Sequence, residues 1–281
     1  EATAAQGRED LVLPDGLTAE EHTGLRSSIA RLVYNCRMVP RLYVPTLAAG
    51  ERTVRLPDDE AGHVRRVLRA RPGAAVRLFD GRGREVEARL TLVERDRVVV
   101  EVGDAVEAVA EWRVQVTLLQ ALRKGDKFDD VVRDAVMLGA AVVQPTVTAR
   151  TEVQGRASLG TGRVERWHRV AVASAKQCGR AVVPAVLAPR TLCEALAAVH
   201  PEAAKLVHVE PSAAAGAPGA GLPADAPRSA VVLVGPEGGW TDEELALARE
   251  TGCAPVSLGP RTLRADAAAA VALSVLQYVW T

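Results

Sequence analysis

Aromatic residues are scarce in this chain: Phe, Trp and Tyr together make up 3% of its 281 residues. Any core must therefore be assembled mainly from Ala, Val and Leu. Cysteine is scarce too. Cys36, Cys178, Cys193 and Cys253 form no C-x-x-C pair, and no histidine stands at zinc-finger spacing from them, so neither a disulfide framework nor a metal site is indicated. The thiols read as free, which fits a reducing, cytoplasmic setting. Cys178 precedes Gly179-Arg180 and has no evident His/Asp partner, so a structural or binding-loop role suits it better than that of a nucleophile. No apolar run approaches the ~18 residues of a membrane span. The first residues also lack the charged-then-apolar order of a secretory signal.

An excess of charge of one sign is missing as well. The 35 Lys and Arg are balanced by 35 Asp and Glu, which argues against a uniformly basic surface that binds nucleic acid indiscriminately. Several catalytic signatures are absent: no glycine loop runs into Gly-Lys-Ser/Thr, and there is no G-x-G-x-x-G after a strand, no H-E-x-x-H and no G-x-S-x-G. What is present is ordinary for a folded protein, with 48% hydrophobic and 25% charged residues. The length suits two domains or one large one at about 100–200 residues per domain.

Three stretches differ in pattern. Residues 1–37 are acidic and polar with net charge −2. They predict one short helix near Thr18–Val33, with Thr18 and Glu21 at capping-box spacing. They read either as an extension or as residues upstream of a natural start at Met38. Residues 38–107 carry short β-branched or alternating runs at Arg52–Leu56, Ala75–Phe79, Val86–Val93 and Val98–Val102. A turn is expected at Asp80-Gly81-Arg82-Gly83, and a helix over Asp59–Arg69 stopped by Pro72-Gly73. That pattern predicts a small β-barrel.

Residues 108–281 alternate strand and helix. Strands are expected at Arg113–Leu119, Ala141–Val147, Leu206–Glu210, Ala230–Val234 and Pro255–Leu258. Helices are expected at Lys127–Leu138, Arg163–Cys178, Leu192–Val199, from Thr241 to Gly252 with a Thr241/Glu244 capping box, and at Ala265–Trp280. Pro211–Ser229 reads as a Pro/Ala/Gly-rich loop. The alternation predicts an α/β domain on a mostly parallel sheet.

Two glycine-marked loops follow predicted core strands and precede helices: Gly235-Pro236-Glu237-Gly238-Gly239-Trp240 and Gly259-Pro260-Arg261-Thr262-Leu263-Arg264. Either is an ordinary tight turn by itself. Two of them at strand ends favour a binding cleft, because ligands of parallel sheets sit outside the carboxyl ends of strands. Charge is also concentrated locally. Residues 60–84 hold seven Arg against Glu60 and Asp80, and residues 161–190 hold five Arg and Lys176 against Glu165, so each stretch carries net +5. Arg163, Arg166 and Arg169 recur every three residues and share a helix face. Solvated faces are the plain reading of such runs; phosphate contacts are favoured in a chain that is neutral overall.

These features together resemble a known family. LVGPEGGWTDEEL at 233–245 and VSLGPRTLRADAAAAVALSVLQ at 256–277 resemble the C-terminal signature of the 16S ribosomal RNA uridine-N3 methyltransferases. That family is part of the SPOUT class of S-adenosylmethionine-dependent enzymes. PRLYVP at 40–45, HVRRVLRARPGAAVRLFDG at 63–81, LLQALRKGDKFD at 118–129 and WHRVAVASAKQCGRAVVP at 167–184 extend the similarity from about Met38 onward.

The resemblance implies an α/β fold of two parts: a small N-terminal PUA-like β-barrel at 38–107 and a C-terminal SPOUT-type trefoil-knotted α/β domain at 108–281. It implies S-adenosylmethionine as cofactor, 16S ribosomal RNA or the 30S subunit as partner, and a homodimer, with no membrane and no metal. Leu233, Gly235, Gly238, Leu258, Gly259 and Leu263 are the implied cofactor contacts. Arg65, Arg66, Arg69, Arg163, Arg166, Arg169 and Arg180 are the candidate RNA contacts.

Arg264 matches the family's arginine after the second loop and is the candidate for stabilising charge on the uracil carbonyls. Asp266 is the candidate base, with helix capping as an equal reading. In the last helix, Val271, Val275 and Val279 form a stripe suited to a subunit interface or to internal packing. The sequence departs from the family where Leu-Arg-Thr-Glu-Thr-Ala is Leu263-Arg264-Ala265-Asp266-Ala267-Ala268. Asp134, Met137 and Lys176 also stand at unusual positions. A catalytically impaired SPOUT-fold RNA-binding protein is therefore the alternative. An α/β enzyme acting on a small metabolite leaves both arginine stretches unexplained.

Overall fold

A computed structural model of the chain describes residues 39–123, 127–151, 161–213, 222–223 and 225–280. The predicted helix at Thr18–Val33, the extension at 1–37 and Cys36 lie outside the described residues. So do residues 214–221 and 224 of the Pro/Ala/Gly-rich loop.

The first part is a five-stranded sheet in the order β1-β3-β4-β5-β2: β1 Arg41–Tyr43, β2 Thr53–Arg55, β3 Ala75–Phe79, β4 Glu85–Val93 and β5 Val98–Val106. β1 pairs parallel with β3, and the other ladders are antiparallel. β4 shows why the segment folds this way. Val86, Ala88 and Leu90 are buried while Glu87, Arg89 and Thr91 face water, the period-2 pattern of a sheet with one wet face. The β3–β4 turn is held by Asp80, whose Oδ1 accepts from the backbone N–H of Arg82 (2.7 Å) and of Arg84 (3.1 Å).

The barrel core is aliphatic, with Leu42, Val44, Leu56, Val76, Leu78, Leu90, Val98 and Val100 at 2% exposure or less. Each such residue contributes roughly 1.5–3 kcal/mol. Helix α1 (Asp58–His63) continues as a π-helical turn over Val64–Leu68. It ends at Arg69, as expected, and that residue is left-handed at φ 49°. β1 went unforeseen because three residues between prolines carry no readable period.

The second part is a parallel sheet in the order β12-β10-β11-β6-β7-β8, with β9 also paired to β7. Its elements are β6 Gln115–Ala121, α2 Phe128–Met137, β7 Val142–Val147, α3 Thr161–Cys178, β8 Ala185–Val186, β9 Arg190–Thr191, α4 Leu192–Ala197, β10 Ala204–His208, β11 Ser229–Val234, α5 Asp242–Glu250, β12 Ala254–Val256 and α6 Ala265–Val279. Both faces of the sheet are covered. In β11, Ala230, Val232 and Val234 pack in the core that includes Phe128, Trp167, Leu273 and Leu276 of α2, α3 and α6. The intervening Val231 and Leu233 pack with Leu192, Leu196 and Ala248 of α4 and α5.

Gly139 and Gly179, at φ 80° and 86°, follow the ends of α2 and α3 as expected. Pro211–Ala213 is a 3₁₀ turn and Ser229 already belongs to β11, so the expected loop is shorter at both ends. β10 lies two residues earlier than the predicted Leu206–Glu210. β8 and β9 are two residues each, too short to leave a pattern.

A polar seam joins the two sheets. Arg41 binds Glu85 through two bonds (3.0 and 2.7 Å) and donates to the carbonyls of Ala175 (2.7 Å) and Arg180 (3.0 Å). Lys176 reaches Glu60 at 2.8 Å, and Val183 N donates to Gly81 O at 2.9 Å. Among the described residues, no helix is long and apolar enough to cross a membrane.

Candidate active site

Strand order decides where a site can form. From β6 the chain adds β7 and β8 on one side, then returns to build β11, β10 and β12 on the other. A crevice opens at the carboxyl ends of the strands where such an order reverses. A cavity of about 730 Å³ lies there. It is walled by Arg123 and Lys127 after β6, His208 to Pro211 at the end of β10, Gly235 to Trp240 after β11, and Leu258 with Arg261 to Ala265 after β12. Both glycine-marked loops therefore border one cavity, of a size suited to a small-molecule ligand.

The expected cofactor residues divide. Gly235, Gly238, Leu258 and Leu263 line the cavity, and so does Arg264. Leu233 does not: its side chain is fully buried in the core against α4 and α5, because alternation along β11 turns it away. Val234, on the other face of β11, lines the wall. Gly259 lies outside the lining, and its φ of 93° lets the second loop turn. Arg264 is the N-cap of α6, and its carbonyl accepts from Ala267 N and Ala268 N at 3.0 Å. Asp266 is the second residue of that helix; its side chain lies outside the described set.

The first loop is braced from three sides. A Cβ on Gly235 would stand 3.0 Å from the Trp240 ring, so glycine lets the indole lie close across the strand end. Trp240 Nε1 donates to the His208 carbonyl at 2.9 Å, and Arg150 donates to Gly238 O at 2.7 Å. Thr241 and Glu244 form the predicted capping box of α5. Glu244 also accepts from Ala149 N at 2.7 Å.

Charge at the cavity is organised around Glu237. The buried Arg123 guanidinium donates to its Oε1 at 2.9 Å, and Lys127 Nζ stands at 3.5 Å. The Arg123 hydrogen bond, with the Lys127 and Arg123 charges behind it, holds the Glu237 carboxyl below the usual range. Glu237 is thus a fixed anion and a poor base. His208 is the opposite case. It is buried, neither Nδ1 nor Nε2 has a hydrogen-bond partner among the described residues, and burial pushes its pKa down to about 4.

The expected RNA-contact arginines also separate. Arg180 is 6% exposed. It pairs with Glu111 and donates to the carbonyls of Val136 (2.7 Å) and Ala140 (3.2 Å). Its assignment as an RNA contact is therefore corrected to a structural one. Arg65 donates to the carbonyls of Ala61 and Arg95. Arg166 pairs with Asp129 at 2.7 Å yet stays exposed. Arg66, Arg69 and Arg169 are exposed, and Arg163 is half-buried.

Cys178 is half-buried, with its thiol 3.9 Å from the Ala175 carbonyl. Among the described residues, no group of His, Cys, Asp and Glu could hold a metal ion. Sequence reasoning missed Arg123, Lys127, Arg150, His208, Trp240 and Arg261. Arg123 and Lys127 had a usable signal, since they follow a core strand in a parallel sheet. His208 was hidden by a two-residue error in a strand boundary.

Comparison with known proteins gives a consistent result. Residues 110–277 match the family model of the RNA methyltransferase domain, and residues 56–103 that of the RNA methyltransferase PUA domain. The chain is 35% identical to ribosomal RNA small subunit methyltransferase E of Synechocystis sp., over 84% of this chain and 77% of that protein. It is 30% identical to the Mycobacterium tuberculosis protein of the same name, over 83% and 89%. Among solved structures, ribosomal RNA small subunit methyltransferase E from Neisseria gonorrhoeae, bound to S-adenosyl methionine, superposes with a TM-score of 0.78 at 34% identity, covering 86% of this chain and 98% of that one.

Proposed function

The chain belongs to the RNA methyltransferase family, and from that membership we propose that it transfers a methyl group from S-adenosylmethionine to N3 of a uridine in small-subunit (16S) ribosomal RNA. The observation that carries this reading is the single cavity at the ends of β6, β10, β11 and β12, which brings both glycine loops beside Arg264. The residues present fit the cofactor: the cavity has the needed volume, bare backbone at Gly235 and Gly238, and a buried imidazole with unused ring nitrogens.

S-adenosylmethionine, when bound, supplies an electrophilic methyl group on a sulfonium. The protein's own residues do the rest. Gly235, Gly238, Leu258 and Leu263 bind and orient the cofactor, which turns a bimolecular encounter into a positioned one. Uridine N3 is a poor nucleophile while protonated, so the proton must leave. Arg264 stabilises the negative charge that develops on the uracil carbonyls. Asp266 accepts the N3 proton; Glu237, held ionised by Arg123, is the weaker base. Arg66, Arg69, Arg163, Arg166 and Arg169 contact RNA phosphates.

The proposal keeps the division into 1–37, 38–107 and 108–281, supported by β5 ending at Val106 and β6 opening at Gln115. It includes the trefoil knot in residues 108–281. It also includes a homodimer. On α6, Leu273, Leu276 and Trp280 fill the core, while Val279 and Tyr278 are 42% and 88% exposed, which supports Val271, Val275 and Val279 as the face for a second copy. The impaired-relative alternative rests on the departures at 265–268 alone, and these residues form the first turn of α6 beside the cavity.

The test is methyl transfer from labelled S-adenosylmethionine to 30S particles or their RNA, with mass-spectrometric mapping of the product. One N3-methylated uridine in 16S RNA is expected. Label on another atom or in another RNA rejects the assignment.

A further inference from the structure

His208 ends β10, the strand between β11 and β12, in register with Val234 and Val256. Its neighbours on the ladder are aliphatic, and leucine or valine would fill such a strand end without leaving anything unpaired. Instead an imidazole stands there, 7% exposed, lining the cavity, with both ring nitrogens buried and without a hydrogen-bond partner among the described residues. Buried polar atoms in folded proteins are nearly always bonded, and one that is not marks a role beyond packing. The indole of Trp240 is bonded to the His208 backbone carbonyl and so leaves the ring nitrogens untouched.

The chemistry of the missing partner follows from the ring. Burial keeps the imidazole neutral at pH 7, so it offers one donor and one acceptor. A phosphate group offers acceptors only, would leave the second nitrogen unpaired and would call for an imidazolium that burial disfavours. A nucleoside carries both kinds of group, in the hydroxyls of its ribose and on the polar edge of its base. Trp240 and Leu258 in the same cavity wall suit its flat, less polar surfaces.

We propose that His208 is a cofactor-binding residue that hydrogen-bonds the nucleoside portion of S-adenosylmethionine through its ring nitrogens, a role that rests on the methyltransferase reading above. The ligand thereby gives the ring nitrogens the partners that none of the described residues supplies.

Calorimetric titration of the full chain with S-adenosylmethionine and S-adenosylhomocysteine, beside thermal melting without ligand, tests this. His208→Leu should weaken binding of both by at least about tenfold while raising Tm, since an apolar residue of similar size removes an unpaired buried group. A residue with only a packing role would not move these two readouts in opposite directions. His208→Gln, which keeps a donor and an acceptor, should bind within about threefold of wild type. A His208→Leu protein that binds like wild type overturns the assignment.

If that variant does not fold, nitrogen NMR of ¹⁵N-histidine-labelled wild type decides. Cofactor should shift both His208 ring signals, and unshifted signals overturn the role. Wild type that binds neither compound rejects the cofactor reading itself, an outcome distinct from failure at His208 alone.

Discussion

The seam between the two sheets and the cavity at the strand ends are both built from polar side chains withdrawn from water, and they are satisfied in opposite ways. At the seam every buried charge meets its complement: Arg41 with Glu85, Lys176 with Glu60, Arg180 with Glu111. Backbone carbonyls take the remaining donors of Arg41 and Arg180. At the cavity, His208 keeps two ring nitrogens without partners among the described residues, and Glu237 is held on an exposed loop by the buried Arg123. A buried polar group with all its partners inside the protein is structure. One whose partner is missing is a place for a ligand. The arginine-rich stretches at 60–84 and 161–190 contain both kinds of cation, and counting charge along the chain mixes them.

Four changes would break or sharpen that contrast, the largest effect first. Arg180→Ala strands the Glu111 carboxylate and two carbonyls; it should cost about 3–5 kcal/mol, read as a lower urea midpoint. An unchanged midpoint would return Arg180 to the RNA surface.

Acid should act next, through His208. Its folded-state pKa of about 4 lies below the ordinary 6.5. Between those values the unfolded chain takes the proton and the folded chain does not. Stability that is full above pH 6.5 is therefore lost as pH falls toward 4, by about 3 kcal/mol in all. Melting curves across that range should be steeper in pH for wild type than for His208→Leu, and parallel curves would contradict the buried neutral ring.

Arg264→Ala should lower the methylation rate about 10²-fold, the typical loss for one stabilising donor, with cofactor affinity little changed. An unaltered single-turnover rate removes Arg264 from the chemistry. The smallest effects belong to the exposed arginines. Arg66→Ala and Arg169→Ala should each weaken RNA binding modestly and lower the salt slope of log K by about 1, without moving Tm. If RNA affinity of the wild type is flat between low and moderate salt, the phosphate-contact reading fails.

Much of this was legible without coordinates. Alternation in Val86 to Val93 and Val98 to Val102, set against the helical period of residues 127–138, separated a β part from an α/β part. The Thr241/Glu244 cap and the glycines after α2 and α3 were readable because capping is local chemistry. Strand boundaries were less so: β10 lies two residues before the expected Leu206–Glu210. Within the site, the two glycine loops could be named from strand-loop-helix order, but not which strand residues face the cavity: one step along β11, from Val234 to Leu233, turns the side chain to the other face.

What the sequence determined by itself was the alternation of elements, the helix stops and the pair of glycine loops, since each depends on residues within a turn or two of chain. Only the tertiary structure decided which cations are spent inside the protein and which face a ligand. Arg180 meets Glu111 across 69 positions, and Arg123 meets Glu237 across 114. His208 was revealed by ring nitrogens that no described residue partners, which is a property of its whole surroundings. Burial and pairing are sums over neighbours brought together from distant segments, and no local window of sequence contains them.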